Sequence, residues 1–77
     1  MIRTLPNLPD KPIGIIFWWS NILRGYQLRV YLDGGPLEPE VHLTRAEIEN
    51  AAEALARQHN LTIYEIPIPK ITDALLH

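Results

Sequence analysis

Seventy-seven residues with a formal charge of −2, 47% of them hydrophobic and 21% charged, describe one small domain with room for a single modest core. Cysteine is absent, which excludes disulfides and cysteine-based zinc sites as sources of stability and points to a reducing cytoplasm. The longest apolar run, residues 13–19, falls well short of the roughly 18 to 20 residues of a membrane span, and residues 1–12 carry neither the apolar stretch nor the cleavage site of a secretory signal, so the chain reads as mature protein with no membrane segment.

Residues 1–12 place Pro6, Pro9 and Pro12 at every third position, the period of polyproline II, and predict an extended Pro-rich arm. Arg3 ahead of Pro6-x-x-Pro9 has the spacing that aromatic-lined grooves accept, although an arm packing its leucines on its own domain is the simpler reading. Ile13 to Trp19 reads as a first strand, β-branched and aromatic, with both alternating sets largely apolar. Such a strand requires cover on two faces. Residues 20–25 suit a longer hairpin loop, and Tyr26 to Asp33 reads as a second strand in which Tyr26, Leu28, Val30 and Leu32 alternate with Gln27, Arg29, Tyr31 and Asp33.

Gly34, Gly35 and Pro36 end that strand, and residues 37–43 read as a loop. Thr44-Arg45-Ala46-Glu47 has the form of a capping box, after which Ile48, Ala51, Ala52, Leu55 and Ala56 fall on one helical stripe, with Asn60 as a left-handed stop. Leu61 to Ile66 reads as a third strand before Pro67 and Pro69, and Lys70 to His77 as one or two helical turns or a frayed end.

This order predicts an α+β domain with a small three-stranded sheet, β-β-α-β in the order 2-1-3, and one amphipathic helix on one face. Residues 13–66 form the core, 1–12 the arm and 67–77 the tail. A crossover from strand two over strand one to strand three sets strands two and three parallel to each other and antiparallel to strand one. One helix covers one face, so the other presents aromatic and apolar side chains that need a neighbour: the arm, the tail, a second copy or another protein. The residues expected on that surface are Ile16, Trp18, Trp19, Arg29, Tyr31 and Tyr64.

Chemistry is sparse. Ser20 is the one serine and has no histidine near it in sequence, while His42, His59 and His77 lack the spacing that sets two metal ligands on one helix face. Glu40 and His42 could form a proton-transfer pair, and Gly34-Gly35 lacks the lysine of a phosphate loop. No cofactor is expected. Charge is uneven: Arg3, Lys11, Arg24 and Arg29 against Asp10 leave residues 1–31 at +3, and Arg45, Arg57 and Lys70 against eight acids leave residues 32–77 at −5. That asymmetry suits head-to-tail contacts or a charged partner.

The expectation is therefore a non-enzymatic interaction or regulatory protein, accessory or inhibitor-like, that binds protein and self-associates as a homodimer through an aromatic sheet face. The alternative is a single-stranded nucleic-acid-binding module using the same Arg, Tyr and Trp side chains, which the net acidic charge disfavours. A small-ligand carrier, using a gap between sheet and tail, is a third reading.

Overall fold

A computed structural model describes residues 2–67 of the chain. The helical turn expected over residues 70–77, and the tail beyond Pro67, lie outside these residues. The strands are β1 (Ile2–Thr4), β2 (Gly14–Ser20), β3 (Gly25–Leu32), β4 (Gly35–Pro36), β5 (Glu40–His42) and β6 (Ile63–Glu65), and the helix α1 (Arg45–His59) lies between β5 and β6.

Three of these strands stand where they were expected, with β2 between β3 and β6, but the sheet is not three-stranded. It is a six-stranded mixed sheet in which β1 adds to the outer side of β6, while β4 and β5 line the outer side of β3. The expected orientation also needs correcting. β2 and β3 are antiparallel, whereas β6 runs parallel to β2. The segment read as a loop accounts for this, because β5 pairs antiparallel with β3 and turns the chain round before the helix begins. The crossover over α1 thus joins β5 to β6, which point the same way.

Three short strands escaped the sequence reading because their own residues do not specify them. β1 precedes the first proline of the arm and takes its ladder from β6, with Ile2 opposite Ile63 and Thr4 opposite Glu65. β4 and β5 are one edge ribbon interrupted by a bulge. Tyr31 pairs with Pro36, yet Leu28 pairs with Glu40, so the ribbon carries one residue more than β3 between these points. Pro39 sits in the interruption, where a missing amide costs no ladder bond.

The helix follows the capping logic of its sequence. The Glu47 amide donates to Thr44 Oγ1 at 3.2 Å, and the Thr44 amide donates back to Glu47 Oε1 at 3.1 Å. Asn60 closes the other end at φ 56°, and the Leu61 amide returns to the Ala56 carbonyl at 3.1 Å. Ile48 and Ala52 are buried against Ile15, Phe17, Leu28, Val30 and Ile63, with Ala51, Leu55 and Ala56 packed at the margin. Alanine at positions 51, 52 and 56 lets the helix backbone come close to the sheet, and Ile48 and Leu55 fill the space that remains.

Gly14 opens β2 at φ +139°, a conformation that side chains rarely adopt, and a Cβ there would stand 2.9 Å from Tyr64 Cε2 and 3.0 Å from the Thr62 carbonyl oxygen. Gly35 has φ +121° with nothing within 4 Å of the same position. Gly14→Ala should therefore cost about 3–5 kcal/mol, the strain of the backbone plus the overpacking, and Gly35→Ala only the strain, about 1–3 kcal/mol. Urea unfolding of the two variants followed by circular dichroism measures the difference.

Candidate interaction surface

The register of the sheet assigns each expected residue to a face. Away from the helix, Arg3, Tyr64, Ile16 and Arg29 form one row across β1, β6, β2 and β3. Trp18, Gln27 and Val41 form a second across β2, β3 and β5. Gly14 and Tyr31 form a third. Five of the six residues expected on this face are therefore brought together: Ile16, Trp18, Arg29, Tyr31 and Tyr64. Trp19 is not among them. It lies on the helix side, edge-on to Tyr26 with centroids 5.1 Å apart, and its Nε1 donates to Asn21 Oδ1 at 2.9 Å.

The face is less open than the sequence implies. Ile16 and Ile66 are buried, Tyr31 is 9% exposed, and Leu5, Trp18 and Tyr64 pack around them as a second small core. The arm does part of this covering: the Leu5 amide donates to the Glu65 carbonyl at 2.9 Å, continuing the β1 ladder and laying Leu5 beside the cluster. An aromatic face left bare to await a neighbour is thus not what the fold contains. Arg29 is also engaged, its Nε donating to the Leu37 carbonyl at 2.8 Å and pinning the bulge of the edge ribbon. Neither it nor the buried Tyr31 ring forms a free stacking platform. The gap between sheet and tail proposed for a small ligand lies outside the described residues.

Besides Leu8 of the arm, Ile13 just before β2 and Leu37 in the bulge, the exposed large apolar side chains among the described residues lie on the β2–β3 hairpin loop and at β5. Ile22 is 78% exposed, Leu43 71%, Val41 49% and Leu23 47%. Ile22 and Leu23 occupy the β2–β3 hairpin loop, whose closing residue Gly25 lies so near β5 that a Cβ on it would be 3.0 Å from the His42 carbonyl oxygen and 3.6 Å from Val41 Cγ1. Leu43 directly follows β5. The loop holds its shape through the Leu23 amide, which donates to the buried Ser20 Oγ at 3.2 Å, and through Arg24 at φ 54°. Sequence reasoning missed this corner because a hairpin tip and a presumed loop, well apart along the chain, become neighbours only through the β3–β5 pairing.

On the helix side of the same end sits a charged cluster. Arg45, the first residue of α1, donates Nη1 and Nη2 to Glu65 at 2.5 and 2.8 Å and Nε to Glu49 at 2.6 Å. Its guanidinium lies over the Phe17 and Tyr26 rings at 5.3 and 5.9 Å. Hydrogen bonding to Glu65, and then to Glu49, holds the guanidinium pKa above its ordinary value, so the charge is permanent. Glu40 and His42, the expected proton-transfer pair, do meet, with Oε1 and Nε2 3.1 Å apart on an exposed edge. Among the described residues no three His, Asp or Glu side chains are grouped to hold a metal ion, and no helix is long and apolar enough to cross a membrane.

No protein-family model, no curated protein and no solved structure matches the chain. Two expectations follow from the geometry. Tyr31→Ala should lose about 3 kcal/mol of stability as a core truncation, whereas Ile22→Ser should stay within about 0.5 kcal/mol of the parent. Arg45→Lys keeps the charge but loses the planar fork, and should cost about 0.5–1 kcal/mol at this partly exposed site. Chemical denaturation of the three variants reads both.

Proposed function

We propose that this chain is a non-enzymatic interaction protein of the cytoplasm, and that its contact surface is the hairpin corner together with the adjoining Trp18 row of the sheet. One observation carries the reading: the two most exposed large apolar side chains, Ile22 and Leu43, stand with Leu23 and Val41 on the hairpin loop and the strand it abuts, whereas the sheet face away from the helix has a buried cluster of its own. Scattered surface leucines need no explanation, but a contiguous apolar patch is a common mark of a binding site. Trp18, half-buried in line with Val41, extends the patch onto the sheet with a side chain of the type that dominates interface energetics. The lack of cysteine accords with the reducing compartment.

Photo-crosslinking in the native cells tests it. A benzophenone amino acid placed at position 22 or 43 should give discrete protein adducts, and the same group at the exposed helix position 53 should give none. Adducts of equal pattern from all three positions, or none from 22 and 43, overturn the proposal.

A further inference from the structure

We infer that the partner at this corner is a second copy of the chain, joined edge to edge by a two-fold antiparallel pairing of β5 with β5 centred on Val41. The inference rests on the reading of the corner as a contact surface and adds the identity of its occupant.

The backbone argument comes first. The Leu37 amide donates to the Val30 carbonyl at 2.9 Å, so Val30 turns its polar backbone groups toward the edge ribbon. The two-residue period of an antiparallel ladder gives Leu28 and Tyr26 the same direction. Their partners Glu40 and His42 therefore bond inward to β3, and the amide and carbonyl of Val41 point away from the sheet. Val41 opposite Val41 of a second copy would exchange two hydrogen bonds, and continuing the register sets the Leu43 amide against the Pro39 carbonyl.

Side chains then select one register. With Val41 at the two-fold axis, Glu40 of each copy stands opposite His42 of the other, which sets a carboxylate–imidazole pair across the axis beside the one each chain already makes within itself at 3.1 Å. Shifting by one residue sets Val41 against a residue whose backbone groups are already committed to β3. A shift by two either sets Glu40 against Glu40 with Val41 meeting Pro39, which has no amide, or sets His42 against His42, which forgoes both carboxylate–imidazole pairs across the axis. A three-residue ladder alone falls short of the roughly 800 Å² per partner of a stable interface, and the exposed Val41, Leu43, Ile22 and Leu23 at the same corner supply apolar area for the remainder.

Sedimentation equilibrium of the full chain tests this through acid–base exchange. The parent should sediment at twice its 8.8 kDa mass. His42→Glu sets glutamate against glutamate and should dimerise at least about tenfold more weakly, the effect of like charges placed directly opposite in a ladder, while Glu40→Lys takes away the carboxylate partner and should weaken the dimer to a smaller degree. An equimolar mixture of these two variants should recover association: the lysine introduced in one copy then faces the glutamate introduced in the other, and the remaining pair is the native Glu40 opposite the native His42. Val41→Pro, which removes only an outward amide, should abolish the dimer while circular dichroism keeps the parent spectrum.

A parent that stays at 8.8 kDa through millimolar concentration overturns the inference. Crosslinked adducts to a different protein at positions 22 and 43 would then leave the interaction reading standing. A dimer that survives both charge variants and Val41→Pro but is lost in Trp18→Ala overturns it equally, by moving the contact to the sheet face.

Discussion

The central strand governs this fold. β2 carries Ile15 and Phe17 on one side and Ile16 and Trp18 on the other, and both of its edges are paired, to β3 and β6. A ribbon with apolar groups on two faces must be covered twice, and at about 25 cal/mol per Å² the penalty for leaving a face bare would rival the stability of so small a domain. The helix provides one cover. The other comes from Tyr64 over Gly14, from Ile66 beyond the end of β6, and from Leu5 of the arm. The parallel strand pairs follow from the same need, since a chain that covers a face with a helix and then returns to the centre of the sheet re-enters it in the direction of its departure.

Arg45 ties these layers together at one end. A cation in the first turn of a helix opposes the macrodipole, and helix energetics alone would place an acid there. The residue is explained by its tertiary contacts. Its fork closes on Glu65 of β6, its stem and plane cover the Phe17 and Tyr26 rings of β2 and β3, and Glu49 one turn along balances the charge. One side chain thereby links the start of α1 to three strands and lies over the aromatic end of the core.

What could be read from the sequence were the features that residues specify locally. Thr44 and Glu47 announce a helix start through hydrogen bonds within one turn, Asn60 announces its end, and the periods of residues 14–20 and 25–32 name their strands. β1, β4 and β5 could not be read in that way. Ile2–Thr4 and Glu40–His42 become strands because a neighbouring ladder offers them partners, and Pro36 and Pro39 disguise an edge ribbon as a loop. One missed strand reversed the inferred direction of β6 and left the corner of Ile22 and Leu43 invisible. The tandem tryptophans show the same limit: alternation assigns them to opposite faces, but only the β2–β3 register decides that Trp18 faces away from the helix and Trp19 toward Tyr26.

Among the described residues the two outer edges of the sheet are guarded unequally. At one, β1 is three residues long, carries the exposed Arg3 and soon runs into Pro6, so little remains there for another chain to pair with. At the other, Pro36 lies within β4, and the bulge that Arg29 holds at the Leu37 carbonyl breaks the ribbon before Pro39. Each device removes a possible register. Past them, Glu40–His42 is left as a short straight edge whose outward backbone groups belong to one valine between an acid and a base. Guards that end where such a segment begins leave one stretch of three residues open, on which a shift in either direction meets a proline, a mismatched side-chain pair or a backbone already bonded.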